Sequence, residues 1–310
     1  MKQQQPLVGG ILALVATGMW SSLPLFVQQV VKSMDAVTAV WYRFAIAGVL
    51  LFLFLFISGK LPKISALNGR SVMLVVLGTA GLASNFWLYN LALKYIPPTT
   101  SQVLSPLSSF VLLIIGVLFF KEKMGWHQKV GLFLLITGLL LFFNQRFDDF
   151  RHLNQYSLGV IFMITSTLVW IIYALAQKLL LDRLTPQQIL LLIYIGSAVI
   201  LFPISEVKDA TKLDHFQLIC LILTGLNTII AYGCYAEALS RWDISKVSAV
   251  LTQIPVFTLL FSHLAFALSP TYFSVVELNW ISYFGAFFVV MGALFSALGH
   301  KLKYYLSRVK

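Results

Sequence analysis

The sequence predicts an all-α polytopic membrane protein: ten transmembrane helices, built as two inverted-topology repeats of five. Three observations carry this reading. Hydrophobic residues make up 59% of the 310 and charged residues only 11%, less than half the charged share of a typical soluble domain, about 25%. Apolar residues run unbroken rather than alternating as barrel strands facing lipid do. Landmarks of the first half also recur in order in the second. A mean hydropathy of +0.87 leaves too few polar side chains to coat a soluble globule. Disorder, collagen and a disulfide-stapled secreted module are excluded with it.

Crossing the hydrocarbon core takes about 20 apolar residues in a helix. Ten stretches qualify: 7–31, 36–57, 71–93, 99–120, 128–144, 157–180, 187–203, 215–239, 245–267 and 279–299. The stretches at 128–144 and 187–203 are short. What remains between the spans is too little for an extramembrane domain, so the function must reside among the helices. The first run follows Met1-Lys2-Gln3-Gln4-Gln5 and resembles a signal-peptide start. Nine further spans and the lack of a clear small-residue cleavage site make it a retained helix. Cys220 and Cys234 share one span, about 21 Å apart along a helix and beyond disulfide reach.

The net charge of +11 is distributed as a topology signal. With the N-terminus inside, fifteen of the 22 lysines and arginines fall on cytoplasmic segments and six on outer loops, as the positive-inside rule requires. Arg43 is the remaining one, inside a span. An even span count returns the C-terminus to the cytoplasm. Acidic lipid headgroups are the partners such a rim attracts; nucleic acid is not expected.

The repeat divides the chain at 1–150 and 151–310. Gly9 and Trp20 in the first span match Gly159 and Trp170 in the sixth. Ala92-Leu93 stands as far before Ser109 as Ala238-Leu239 stands before Pro255. Trp126, Gly131 and Gly138 return at the same spacing as Trp280, Gly285 and Gly292. About eight extra residues, around Ser269–Ser274, precede that last match. A unit of five spans enters the membrane oppositely the second time. Such inverted halves place a solute site near the bilayer midplane and alternate its access.

Several of these residues resemble a known family. Trp20-Ser21-Ser22-Leu23-Pro24 followed by Tyr42-Arg43-Phe44 is similar to the opening helices of EamA-type permeases, within the drug/metabolite transporter superfamily. So are Ala92-Leu93-Lys94-Tyr95-Ile96-Pro97, Lys121-Glu122-Lys123, and then Gly131 and Gly138, with Ala238-Leu239 and Pro255 repeating the pattern. The resemblance covers nearly the whole chain and lies in order and spacing. It implies ten helices in two inverted halves around a central cavity, and export of small metabolites such as amino acids from the cell. The second half departs from the first: Leu268 stands where Glu122 would match, Ile193 where Arg43 would, and Glu277 follows only after the insertion.

Ionisable groups at membrane depth are costly and usually functional. Arg43 sits about 10 Å below the outer end of its span, where a fixed cation can attract a substrate carboxylate or latch a gate. The bland alternative is a snorkelling or carbonyl-bonded arginine. Glu237, near the inner end of its span, and His263, near the outer end of the ninth, are gating or coupling candidates. A snorkelling carboxylate and a local hydrogen bond are the respective structural readings. No other carboxylate is expected at mid-depth, which makes facilitated export or exchange the default over proton coupling. Pro24, Pro106 and Pro255 interrupt their helices, as hinges or as static kinks.

Neutral residues complete the candidate substrate site: Trp20, Asn85, Tyr89, Asn90, Gln102, Trp170, Tyr173, Tyr232 and Gln253, together with Arg43. Amides and hydroxyls hold zwitterions while rings form an apolar wall, although each group could equally serve as interhelical glue. The paired glycines at 131/138 and 285/292 read as close-packing seams. An enzyme would need a nucleophile–base pair, metal ligands or paired acids. None of these, no metal site and no cofactor motif is present in the sequence. The expectation is a monomeric permease in the inner (plasma) membrane that moves a small organic metabolite. A flippase for a lipid-linked sugar is the alternative.

Overall fold

The computed structural model describes residues 5–63, 67–120, 124–242 and 244–306, and all regular structure in them is helical. The Lys121-Glu122-Lys123 cluster and the basic residues Lys2, Arg308 and Lys310 lie outside the described residues. In chain order the helices are α1 (Pro6–Val30), α2 (Ala36–Ile57), α3 (Gly69–Ala92), α4 (Pro98–Leu104), α5 (Leu107–Phe120), α6 (Trp126–Phe142) and α7 (Phe147–Arg151). They continue with α8 (Gln155–Leu180), α9 (Pro186–Leu201), α10 (His215–Arg241), α11 (Ile244–Leu251), α12 (Ile254–Leu268) and α13 (Trp280–Leu306). Among the described residues eight helical stretches are long and apolar enough to cross a bilayer, and Trp126–Phe142 is a shorter apolar helix. The chain is a polytopic membrane protein. Helices suit that solvent because each satisfies its own backbone groups.

Local chemistry sets the helix ends. Asp35 accepts from the backbone N–H groups of Val37 and Thr38 to start α2. Thr185 and Gln188 form a capping box at α9, while Asn68 caps α3 and Asn279 caps α13. Each side-chain oxygen satisfies an N–H that the first helical turn leaves without a partner. α2 stops at Gly59, whose φ of 63° lets Lys60 N–H reach Leu55 O at 2.9 Å and Gly59 N–H reach Phe56 O at 3.1 Å. That is the Schellman geometry, and a left-handed residue suits glycine best.

The three prolines behave differently from one another. The expected span at 99–120 is broken at Ser105-Pro106 into α4 and α5, and that at 245–267 is broken at Thr252-Gln253, just before Pro255. Pro24 does not interrupt its helix, contrary to the expectation from sequence: α1 runs through it. Proline cannot donate to the carbonyl four residues back, here that of Trp20. Gln102 Nε2 donates to that carbonyl instead, at 3.2 Å, so the helix continues without an orphaned acceptor.

Two compact units emerge, and neither coincides with a sequence half. One gathers Leu23–Ile96 and Gly159–Gly233; the other gathers the described residues of Met1–Ser22, Pro97–Leu158 and Cys234–Lys310. The first, the Arg43 unit, closes around a large apolar core including Phe44, Leu82, Phe86, Ile189 and Tyr194. Phe44 and Phe86 stack at 4.8 Å. Gly81 lets α8 approach: a Cβ there would lie 2.8 Å from the Tyr173 nitrogen.

The second, the seam unit, is held by α6 against α13. A Cβ on Gly131 or Gly138 would stand 2.7 Å from the carbonyl oxygen of Gly292 or Gly285, respectively. The reciprocal positions are as tight, with 2.6 Å from Gly292 to Gly131 O and from Gly285 to Gly138 O. These are small-residue contacts that let two membrane helices touch backbone to backbone.

Candidate functional site

Arg43 projects from α2 into the Arg43 unit and is only 2% exposed. Its Nη1 donates to Asn90 Oδ1 at 3.2 Å and its Nη2 to Thr228 Oγ1 at 3.4 Å. The guanidinium carbon lies 4.3 Å from the centre of the Phe86 ring, a cation–π contact. Tyr89, Tyr194 and Tyr232 are within electrostatic reach. Among the described residues no carboxylate pairs with it. Arg43 Nε, Asn90 Nδ2 and the Tyr194 hydroxyl have no hydrogen-bond partner there. The two nitrogens can only donate. Two long bonds to neutral acceptors and one ring face are poor compensation for burying a charge, which costs several kcal/mol per ion.

The other sequence candidates in this unit have visible duties. Asn85 Nδ2 donates to Ser166 O at 2.9 Å and to Ser166 Oγ at 2.8 Å, and Ser166 Oγ donates back to Asn85 O at 3.0 Å. This ties α3 to α8. Tyr173 is buried in the apolar core, its ring 6.2 Å from that of half-buried Trp170. Of the candidates, Arg43, Tyr89, Asn90 and Tyr232 are thus brought together, and Asn85, Trp170 and Tyr173 serve contacts between helices. Three members of the cluster are not evident from the sequence: Phe86, Tyr194 and Thr228. The first two sit inside apolar runs, and only the hydroxyl of Thr228 beside Asn227 offers a signal.

In the seam unit, Trp20 stacks obliquely on Tyr235 at 5.4 Å, and buried Gln102 donates to the Trp20 carbonyl. Gln253 is half-buried at the N-cap of α12. Ser21 Oγ donates to Ile254 O at 3.2 Å, and Thr258 Oγ1 donates to Ser21 O at 2.9 Å, so α1 is laced to the break before α12. Glu237 is bound by Arg241 on its own helix at 3.0 Å. His263 Nδ1 lies 2.8 Å from Leu259 O, on an exposed face. Cys220 and Cys234 are free thiols. Among the described residues no group of histidine, cysteine, aspartate and glutamate could hold a metal ion.

A separate pocket of about 250 Å³ lies at one end of the seam unit, where α6 ends and α8 and α13 begin. Reciprocal amide bonds between Asn144 and Asn279, at 3.2 and 2.8 Å, tie the end of α6 to the start of α13. Asn144 also donates to Ser282 Oγ at 2.9 Å, and Ser282 Oγ donates to Phe142 O at 3.0 Å. Tyr156 forms another wall, its hydroxyl 3.2 Å from Thr100 Oγ1.

Many apolar spans, a paired-helix glycine seam and a buried cation with no carboxylate beside it among the described residues define a polytopic membrane protein. The sequence profile of the EamA-like transporter family matches the chain twice, over residues 7–144 and 157–298. The chain belongs to that family of membrane transporters. It is 51% identical over 300 residues to an uncharacterized transporter of Haemophilus influenzae, covering 97% of this chain and 98% of that one. With the Escherichia coli K12 inner membrane transporter YhbE it shares 41% over 304 residues, 97% of this chain and 94% of that protein. One solved crystal structure superposes with a TM-score of 0.63 at 16% identity, over 95% of this chain and 98% of the other, which supports the fold alone.

Proposed function

We propose that the protein is an inner-membrane permease that moves a small organic metabolite outward by alternating access, with an amino acid or related zwitterion as the substrate class. The inner-membrane location follows that of its relative YhbE. The proposed topology, both termini cytoplasmic and ten spans as two inverted five-helix repeats, is supported by the basic-residue count and by the two successive family matches. The reading of the two broken helices α4–α5 and α11–α12 as one span each completes the ten.

One observation carries the substrate class. Arg43 is buried with no carboxylate beside it among the described residues, and the unpartnered groups around it can all donate hydrogen bonds. A cation so placed attracts a solute carboxylate, and a guanidinium can grip it through two parallel bonds. Tyr89 and Tyr232 lie within electrostatic reach, and Asn90 supplies an amide.

Reconstitution into proteoliposomes tests this. Efflux of labelled amino acids should be saturable, and Arg43→Lys should reduce it by roughly 10–100-fold, the loss of one charge-assisted bond of about 1.5–3 kcal/mol. Absence of any saturable flux would overturn the transport mechanism. Flux unchanged in Arg43→Lys and Arg43→Ala would remove Arg43 from the substrate site.

A further inference from the structure

The insertion that breaks the match between the two halves has a structural consequence. Residues 273–279 run without helix into α13, and Val276, Glu277 and Leu278 form one wall of the pocket at the end of the seam unit. We propose that this pocket binds a small zwitterion carrying a primary ammonium and an oxyanion, at a site separate from Arg43.

The walls are fixed and chemically opposed. Arg146 is held by Asp149 at 3.3 Å and lies 4.6 Å over the Tyr156 ring. Its guanidinium therefore has a set position rather than a free swing. Glu277 lines the same pocket, yet among the described residues it pairs with no cation, Arg146 included. Two opposite charges that share a pocket without meeting leave a gap that a bridging ligand fills, ammonium toward Glu277 and oxyanion toward Arg146. Gln145 adds an amide to the lining, and Phe142 and Leu278 give the ligand's carbon chain an apolar surface.

Size and charge narrow the class. The volume of about 250 Å³ is roughly eight times what a water molecule occupies in the liquid, room for a compact solute and not for a peptide. Asp149 already balances Arg146, so the net demand of the pocket is for positive charge. The ammonium supplies most of the attraction and the oxyanion orients the ligand. A free amino acid and the head group of an aminophospholipid share this chemistry. The pocket stands independently of the Arg43 reading, since it can bind whether or not any solute is transported.

Calorimetric titration of the purified full chain in lipid-free detergent separates the possibilities. L-leucine and O-phosphoethanolamine carry both charges, isoamylamine only the ammonium, and 4-methylpentanoate only the carboxylate. Affinity should fall from the zwitterions to isoamylamine, with no measurable binding of 4-methylpentanoate to this pocket. Glu277→Gln, an exposed change that breaks no bond among the described residues, should weaken zwitterions and isoamylamine about tenfold or more. Arg146→Gln should weaken the zwitterions and spare isoamylamine. Leucine binding with this pattern identifies a free solute. Phosphoethanolamine alone, with co-purifying phosphatidylethanolamine lost in Glu277→Gln by native mass spectrometry, identifies a lipid head group. Binding of neither zwitterion, or binding insensitive to both variants, overturns the proposal.

Discussion

The two compact units close their interiors in opposite ways. The seam unit brings α6 and α13 so near that backbone faces backbone, with glycines in register and little side chain between them. In the Arg43 unit Gly81 also admits a close approach of α8, but most of the interior is filled by stacked rings and branched side chains, with a charge buried among them. Lipid tails are as apolar as leucine, so helices in a bilayer gain little by hiding apolar side chains from it. Close contact and polar bonds must hold them together. The seam unit meets that demand by geometry. The Arg43 unit meets part of it with polar groups, then carries more polarity than cohesion needs. That excess is why the proposed substrate site is placed there.

The seam offers the most sensitive point at which to break this contrast. At Gly285 a Cβ would collide with the Phe142 nitrogen and stand 2.6 Å from Gly138 O; these backbone atoms cannot rotate away. Gly285→Ala should therefore destabilise the protein by about 2–3 kcal/mol, the upper range for overpacking, read as a fall in Tm in detergent. At Gly18 and Gly233 an added methyl group would meet nothing within 4 Å. Alanine at either should be neutral or stabilising by up to about 1 kcal/mol, because it raises helix propensity. Equal losses at Gly285 and Gly233 would show that the seam is not special.

For the Arg43 unit the expected signature is a split between stability and activity. Arg43→Met replaces a poorly compensated charge with an apolar chain of similar length. Such exchanges are often neutral or stabilising by about 1–4 kcal/mol. Tm should hold or rise while saturable flux falls more than tenfold. A large fall in Tm would instead mean that the bonds to Asn90 and Thr228 hold the unit together, making Arg43 structural. Asn85→Ala gives the converse case and a smaller effect. It removes two bonds to Ser166 and should cost about 1 kcal/mol, near the measured range for polar contacts between membrane helices, with the apparent KM for solute unchanged.

Much of this architecture is legible in the sequence because membrane helices announce themselves by length and apolarity, and because glycine pairs at matched spacing have few other uses. The Trp126/Gly131/Gly138 and Trp280/Gly285/Gly292 match names both sides of the seam by spacing alone. The composition of the units is not legible. Arg43 finds Thr228, and Asn85 finds Ser166, across separations that no local pattern encodes. Pro24 misleads for a related reason: its broken helical bond is repaired by Gln102, which is distant in sequence. Phe86 and Tyr194 are hidden because an aromatic in an apolar run looks the same whether it faces lipid, core or a cation.

The smallest expected effect sharpens the contrast from the other side. If polarity in excess of cohesion marks function, a polar group whose needs are met locally should be dispensable. His263 is such a group: its Nδ1 rests on the carbonyl one turn back, at 2.8 Å, and the residue is exposed. His263→Gln should change stability by less than about 0.5 kcal/mol, the usual range for exposed sites. Flux should keep the same dependence on pH between 5 and 8. A flux–pH profile flattened by this one substitution would make His263 a coupling residue despite its local bond. Excess polarity would then be an incomplete guide to where this transporter works.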